Sequence, residues 1–254
     1  MKKAVVIFML VVVVKVILIE RVYSNELGDS LTLGDSLTAG LARIAGVGIV
    51  CAAQGNRIVP ATDQRSCKGN GQEGVGGWQP SLKNLSGARI YNYGNTGETT
   101  AEMISRFPGH LNERDSEFVL ILAGTNDMIF GNNVDETVAN ISSLVETTLN
   151  AGRKPIVATL PPLIGGSRAS ANARVIQLNQ LIRELPSQYS SLVIAEIYNQ
   201  VISGWPNTFS ADTVHFNDAG NALVAEIWFE AIQESANSNS SALAPIYDLL
   251  LGSD

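Results

Sequence analysis

The stretch Glu117-Phe-Val-Leu-Ile-Leu-Ala123 decides the fold class. Its apolar residues are continuous rather than alternating, which is typical of a strand in a parallel sheet covered on both faces. Other short runs of this kind predict further strands, and the stretches between them carry apolar residues at helical spacing. The predicted strands are 88–93, 117–123, 155–160 and 191–196, and the predicted helices are 99–107, 135–150, 169–185 and 218–233.

The alternation of strands and helices predicts the architecture. Consecutive strands joined by helices form parallel sheets with right-handed crossovers, so helices cover both faces. We therefore expect an α/β fold, a three-layer α/β/α sandwich with a mainly parallel, flavodoxin-like sheet. In such a sheet, a functional site lies at the carboxyl ends of the strands.

Length and composition set the class of protein. The chain has 254 residues, of which 45% are hydrophobic and 16% are charged, and its net charge is -7. This composition excludes disorder by charge repulsion, and the length allows a full-sized core. Because no basic run occurs beyond Lys2 and Lys3, the sequence predicts no nucleic-acid partner.

The amino-terminal segment, residues 1–24, resembles an export signal. Lys2 and Lys3 precede an apolar run at residues 4–19, which only Lys15 interrupts. We expect export to the periplasm or the extracellular space, by a cleaved signal peptide or with residues 4–19 associated with the membrane. The run is shorter than the ~20 residues of a spanning helix, and a miscalled start codon or a buried first strand are the alternatives.

Two other segments depart from the strand–helix pattern. Residues 47–85 are rich in glycine and polar residues and predict a long surface loop. Residues 235–254 predict a low-complexity linker followed by a short apolar tail.

The chain has only two cysteines, Cys51 and Cys67. In an oxidising compartment they have a single pairing, so they are candidates for a disulfide that closes the predicted loop, and two unpaired thiols are the alternative. Two Cys and two His are too few and too scattered for tetrahedral metal ligation, so we expect no metal site.

The two histidines differ in their neighbours. His215 follows Asp212 by three residues on one short loop, and a carboxylate so close can orient an imidazole and stabilise its protonated form. His110 has no such partner, and we expect it to be a solvated loop residue.

A histidine base implies a nucleophile, and the sequence offers two serines. The hexapeptide Leu-Gly-Asp-Ser-Leu-Thr occurs at 27–32, the first copy, and again at 33–38, the second copy. The second copy has enough residues before it to build a strand, and residues 39–44 predict a helix after it. We therefore expect Ser36, rather than Ser30, at the turn from strand to helix, where backbone amides favour developing negative charge. An isolated Ser or Asp at such a turn is more often an ordinary helix cap.

Two further blocks follow predicted strands. Gly94-Asn-Thr-Gly97 comes after the strand at 88–93, and Gly124-Thr-Asn126-Asp127 comes after the strand at 117–123. A glycine N–H and an asparagine amide are suitable donors to an oxyanion. In the plainer interpretation, these residues only form and cap turns.

The four blocks occur in the order and spacing of the SGNH (GDSL-type) esterase and lipase family, which residues 27–234 resemble. The resemblance implies a hydrolase domain at 25–234, with no cofactor. It implies Ser36 as nucleophile, His215 as base and Asp212 as its support, with an oxyanion hole formed by Ser36, Gly94 and Asn126. The implied reaction is cleavage of a small carboxylic ester or other acylated substrate through an acyl-enzyme.

Two departures from the family pattern bear on the substrate. The stretch between the first two blocks is long, and Thr213-Val214 replaces the commoner glycine-containing pair. The alternatives are a carbohydrate O-acetylesterase and, in another class, a binding module that has lost activity.

Overall fold

A computed structural model describes residues 27–44, 48–54, 57–59 and 64–250. The predicted signal peptide or anchor at 1–24, with its apolar run at 4–19, lies outside the described residues. No helix in the described part of the chain is long and apolar enough to cross a membrane.

The strands form two sheets. Six strands make the main sheet, in the order β5-β6-β1-β7-β8-β9, and β2, β3 and β4 make a small antiparallel sheet. The strands are β1 Ser30–Gly34, β2 Leu41–Ile44, β3 Gly48–Cys51, β4 Arg57–Val59, β5 Gln72–Glu73, β6 Ile90–Gly94, β7 Phe118–Leu122, β8 Lys154–Ala158 and β9 Val193–Ala195.

The main sheet confirms the predicted fold class. Five of its strands, β6, β1, β7, β8 and β9, are mutually parallel. Strand β5, at one edge of the sheet, runs antiparallel to its neighbour β6. Taking the five parallel strands in chain order, their spatial order is 2-1-3-4-5, which is the flavodoxin-like arrangement. Gly34 of β1 is in register with Gly94 of β6 and with Leu122 of β7, so these strands end together at one edge of the sheet.

Helices cover both faces of this sheet. α2 and α8 pack together on one face, and α3, α5 and α6 pack side by side on the other. The helices are α1 Ser36–Ala39, α2 Gln79–Ser86, α3 Thr100–Glu113, α4 Thr125–Phe130, α5 Val134–Asn150, α6 Asn172–Glu184, α7 Ile197–Val201 and α8 Asp218–Leu250. Trp78, at the start of α2, stacks against Trp228 of α8 with ring centroids 5.4 Å apart, and both rings are fully buried.

Strand β1 is central yet contains two polar side chains, and its neighbours satisfy one of them. Thr32 Oγ1 donates to the carbonyl of Tyr91 at 3.1 Å and accepts from Gln79 Nε2 at 3.4 Å. The hydroxyl of Ser30 is buried in the same strand and has no hydrogen-bond partner among the described residues.

The segment after the second copy differs from the prediction. The helix predicted through residues 39–44 stops at Ala39, because Gly40 adopts a left-handed conformation with φ 74°. The chain turns at Gly40 into β2. Only a glycine fits at this turn, because a Cβ would lie 2.4 Å from the backbone nitrogen of Gly77.

The stretch 47–85, predicted as a surface loop, also contains regular structure. Its described residues include β3, β4, β5 and α2. Such short strands depend on backbone pairing with a distant neighbour, which the local sequence does not encode. The predicted disulfide is confirmed: Cys51 and Cys67 are bonded and buried, with Cα atoms 5.5 Å apart.

The carboxyl-terminal segment differs as well. The helix predicted at 218–233 continues as α8 to Leu250, through the stretch predicted as a linker from residue 235. Residues 235–241 contain only Ser, Ala and Asn. Ser and Asn cost a helix only a few tenths of a kcal/mol relative to Ala, and neither glycine nor proline interrupts this stretch.

Candidate active site

Three of the predicted blocks meet where β1, β6 and β7 end. Ser36 begins the turn after β1, Gly97 lies in the loop after β6, and Asn126 lies in α4 after β7. The fourth block brings His215 to the same edge of the sheet. The arrangement follows the rule that sites in open parallel sheets lie at the carboxyl ends of the strands.

Ser36, His215 and Asp212 form a continuous chain of hydrogen bonds. His215 Nε2 lies 2.9 Å from Ser36 Oγ, and His215 Nδ1 lies 2.9 Å from Asp212 Oδ2. Ser36 and His215 are each 7% exposed. The geometry is that of a nucleophile, a base and an orienting carboxylate.

The loop that carries the histidine is held by its own aspartate. Asp212 Oδ1 accepts hydrogen bonds from the backbone amides of His215, at 2.8 Å, and of Val214, at 3.2 Å. The carbonyl of His215 accepts from Ser210 Oγ at 2.8 Å. His215 is therefore held both by its ring nitrogen and by its backbone amide and carbonyl.

Thr213 explains one departure from the family pattern. It adopts φ 73°, a left-handed conformation that glycine adopts without strain and a β-branched residue does not. Its side chain packs against Gly165 and Gly166, where an added Cβ would come within 3.5 Å and 2.8 Å of it. Because these two glycines have no Cβ, they leave room for the side chain of Thr213.

The pKa of Asp212 lies below the ordinary value of an aspartate. Its burial raises its pKa, but the hydrogen bonds and charge of His215 and the backbone amides outweigh burial and lower the pKa to about 2. A carboxylate that stays negative can stabilise the protonated form of an imidazole bonded to it.

Asp35 precedes the serine and is fully buried. Its Oδ1 accepts from the amide of Leu37 at 2.9 Å and so caps α1. Burial raises the pKa of Asp35 to about 7, and the hydrogen bond from Leu37 offsets only part of that rise. The cap fixes the short helix whose first amide belongs to Ser36.

Asn126 links three of the blocks. Its Nδ2 donates to the carbonyl of Glu98 at 2.9 Å and lies 3.4 Å from Asp35 Oδ2. Asn126 sits in the first turn of α4, and Gly124 precedes that helix with φ 115°. The amide is thus held beside the turn that carries Ser36.

Gly94 does not offer the free amide that the sequence analysis assigned to it. Its N–H donates to Asn92 Oδ1 at 2.8 Å, so that hydrogen is already engaged. A Cβ at Gly94 would lie 2.3 Å from the backbone nitrogen of Ala39. A glycine is needed here because β6 ends directly against α1.

Gly97 has the properties that Gly94 lacks. It adopts φ 77°, and its N–H has no hydrogen-bond acceptor within the described part of the chain. Its neighbour Glu98 contacts Asn126 through the carbonyl. The sequence predicts Gly97 only as a turn residue, and no signal in the residue types distinguishes it from Gly94.

The remaining candidates lie away from this chain of hydrogen bonds. His110, predicted as a solvated loop residue without a carboxylate partner, instead lies in α3, where it stacks on Tyr93 with ring centroids 4.3 Å apart and its Nδ1 lies 3.1 Å from Glu113 Oε1. Asp127 caps α3, since its carboxylate accepts from the amide of Thr100 at 2.9 Å. In the described ranges, no group of three His, Cys, Asp or Glu residues is arranged to hold a metal ion.

Comparisons with known structures show the same fold. A lipolytic protein of the G-D-S-L family from Veillonella parvula matches with a TM-score of 0.58 at 17% identity, over 80% of this chain and 96% of that one. A catalytic mutant of an acetylxylan esterase from Geobacillus stearothermophilus matches with a TM-score of 0.57 at 20% identity, over 82% and 94%. A family 3 carbohydrate esterase from Clostridium thermocellum matches with a TM-score of 0.58 at 17% identity, over 82% and 96%.

Comparisons at the level of sequence identify the family. None of the curated proteins compared with the chain matches it. The model of the GDSL-like Lipase/Acylhydrolase family matches residues 27–223, which include all four blocks. The chain therefore belongs to the GDSL-like lipase and acylhydrolase family and is a carboxylic ester hydrolase.

Proposed function

We propose that this protein hydrolyses carboxylic esters through an acyl-enzyme formed on Ser36. The observation that carries the proposal is the hydrogen-bonded series from Ser36 Oγ through His215 to Asp212. Each member has the partner that its role requires.

The reaction has two halves. Ser36 Oγ attacks the ester carbonyl carbon while His215 Nε2 takes the hydroxyl proton, and collapse of the tetrahedral intermediate releases the alcohol, which receives that proton. Water then attacks the acyl-enzyme with His215 again as base, releasing the acid and restoring Ser36. Asp212 stays ionised throughout and orients the ring.

The carbonyl oxygen becomes an oxyanion in both halves and needs donors. We assign the Ser36 amide, Asn126 Nδ2 and the Gly97 amide to this task, with Gly97 in place of Gly94. Ser36 contributes an amide from the first turn of α1, where no intrahelical acceptor exists. Asn126 Nδ2 carries two hydrogens, of which one bonds to the Glu98 carbonyl at 2.9 Å and the other makes a long bond of 3.4 Å to Asp35 Oδ2. The oxyanion would replace this longer bond.

A carbohydrate O-acetyl ester is the second candidate substrate. Its support is the likeness to two proteins, one named as an acetylxylan esterase and the other as a carbohydrate esterase. A panel of p-nitrophenyl esters from acetate to palmitate, assayed beside an acetylated polysaccharide, decides between a general esterase and this candidate.

A binding module without activity fits the site less well. A pure binder has no use for an ordered series of nucleophile, base and carboxylate together with unengaged amides beside it.

The disulfide supports export to an oxidising compartment, periplasmic or extracellular. Alkylation of the unfolded, unreduced protein with a thiol reagent tests this. Protein purified from its natural compartment is expected to add no label before reduction and two afterwards, whereas two free thiols would contradict the proposal.

A fluorophosphonate probe tests the nucleophile directly. We expect one covalent adduct, mapped by peptide mass spectrometry to Ser36. An adduct on Ser30, or ester hydrolysis by a protein that the probe does not label, would contradict the assignment.

A further inference from the structure

Residues 64–69, which we call the bridging segment, pack against the loop that carries Gly97 and are hydrogen-bonded to it. The segment contains Cys67, and the disulfide ties it to Cys51 at the end of β3. Both cysteines are buried in a cluster with Ala39 and Ala53, so the disulfide packs against the end of α1. The segment is therefore fixed to the helix that begins with Ser36.

The bridging segment holds the loop after β6 by its backbone. The amide of Thr96 donates to the carbonyl of Cys67 at 3.1 Å, and the amide of Gly69 donates to the carbonyl of Gly94 at 2.8 Å. Both bonds restrain the loop up to the residue before Gly97.

Arg65 restrains the loop on the other side of Gly97. Its Nη2 donates to the Gly97 carbonyl at 2.8 Å, while its Nη1 forms an ion pair with Glu102 Oε1 at 3.1 Å. The guanidinium is planar, so two simultaneous partners fix its orientation. The peptide groups before and after the Gly97 N–H are therefore both anchored to the bridging segment.

We propose that Arg65 is a positioning residue that holds the Gly97 amide in place to receive the oxyanion, and that the Cys51–Cys67 disulfide holds Arg65. The inference rests on the proposed function, because it needs Gly97 as an oxyanion donor. Such a donor accelerates the reaction only when it is preorganised, since reorganisation during the reaction costs free energy.

The restraint predicts a specific kinetic effect. Arg65 acts through a donor that binds the transition state more strongly than the ground state, so its loss lowers kcat rather than raising KM. Deleting an oxyanion donor costs about 10²–10³-fold in kcat, and loosening one is expected to cost about tenfold.

The test compares Arg65→Ala with a matched arginine. Arg89→Ala removes a guanidinium that is 61% exposed, against 63% for Arg65, and paired with Asp29 at the opposite edge of the sheet. With p-nitrophenyl acetate, kcat of Arg65→Ala is expected to fall about tenfold with KM within about twofold, whereas Arg89→Ala keeps the kcat of the unmodified protein. A kcat of Arg65→Ala within twofold of the unmodified protein would overturn the proposal.

Two further variants separate position from charge. Arg65→Lys keeps the charge and can donate one bond to Gly97, so it is expected to recover part of kcat. Glu102→Gln replaces the ion pair by a neutral hydrogen bond and keeps the bond to Gly97, so kcat is expected to lie between that of Arg65→Ala and that of the unmodified protein.

The fall in kcat caused by Arg65→Ala should persist in about 1 M NaCl, where the Debye length is about 3 Å. A loss that disappears in salt would assign Arg65 an electrostatic role instead.

The double variant Cys51→Ala/Cys67→Ala tests the second half of the proposal. Measured well below its Tm, it is expected to lower kcat in the same direction as Arg65→Ala, and an unchanged kcat would overturn the role of the disulfide. Failure of the proposed function is distinguishable, because the unmodified protein would then neither cleave any ester in the panel nor react with a fluorophosphonate.

Discussion

Residues 27–32 and residues 33–38 have the same sequence, yet they form different structures. In the first copy, Ser30 lies inside β1, in register with Ile90 of β6 and with Phe118 of β7. In the second copy, the strand ends at Gly34 and Ser36 begins a helix. The hydroxyl of Ser36 is hydrogen-bonded to His215 Nε2.

The aspartates of the two copies differ in the same way. Asp29 accepts from the amide of Arg89 at 2.9 Å and pairs with its guanidinium. Asp35 is buried and caps α1. A Gly-Asp-Ser-Leu sequence therefore becomes a site only where a central strand ends, because there the serine is free to meet groups from other strands.

The serines should show the largest difference between the copies. Ser36→Ala removes the nucleophile, so we expect kcat on p-nitrophenyl acetate to fall by about 10⁶ or to the detection limit. Ser30→Ala removes a buried hydroxyl that has no hydrogen-bond partner among the residues that the structure describes, so kcat should stay within about twofold and stability should not fall. An active Ser36→Ala protein, or an inactive Ser30→Ala protein that is folded, would reverse the assignment of the two copies.

Asn126 should have the next largest effect, because only the second copy faces it. Asn126→Ala removes a donor from the proposed oxyanion hole, and we expect kcat to fall by about 10²–10³ with a modest change in KM. Asn199→Ala serves as a control, since Asn199 is exposed and bonds to Glu196. An effect confined to KM would remove Asn126 from the oxyanion hole.

The aspartates should differ in how stability depends on pH. The folded-state pKa of Asp35, about 7, lies above the reference value of 3.8. Its contribution to stability is therefore fully present below about pH 4 and is lost as the pH rises through 7. Asp35→Asn cannot ionise, so the free energy of unfolding of this variant relative to the unmodified protein should increase from pH 4.5 to pH 7.5, by about 3 kcal/mol at most.

Urea unfolding at the two pH values measures this difference. Asp29→Asn is the matched control, and because the arginine of its ion pair is exposed to solvent we expect only a small cost at either pH. A constant difference between Asp35→Asn and the unmodified protein at both pH values would show that Asp35 does not bind a proton on folding.

The threonines should show the smallest difference. Thr32→Val removes a buried hydrogen bond to the Tyr91 carbonyl, and we expect a loss of about 1 kcal/mol. Thr38→Val removes a buried hydroxyl that has no partner in the part of the chain that the structure describes, so it should be neutral or slightly stabilising. Equal losses in thermal or urea unfolding would show that the two copies do not differ at this position.

The sequence alone predicts the parts of the fold that depend on strong local patterns. The stretch at 117–123 forms the central strand β7, and the helices predicted at 135–150 and 218–233 occur within α5 and α8. The small sheet from β2 to β4 was missed because three- and four-residue strands are stabilised by distant pairing rather than by their own residues.

The same limit applies to the candidate site. Side chains such as His215 and Asn126 could be singled out because their chemistry is visible in the residue type. The availability of a backbone amide is not visible in this way. Gly94 and Gly97 differ only in what accepts their N–H groups, and the acceptor at Gly94 is the side chain of Asn92.

The placement of the tryptophans makes the protein its own optical probe. The chain has three tryptophans, and all are buried, so their fluorescence should shift to longer wavelength on unfolding. Trp78 and Trp228 lie together between α2 and α8, whereas the ring of Trp205 meets that of Phe216 edge-on at 5.9 Å, next to His215. A Trp205→Phe protein would report the helical layer alone, and the difference spectrum would report the loop that carries the histidine. Loosening of that loop before the core unfolds would then be visible as a change in emission without any added label.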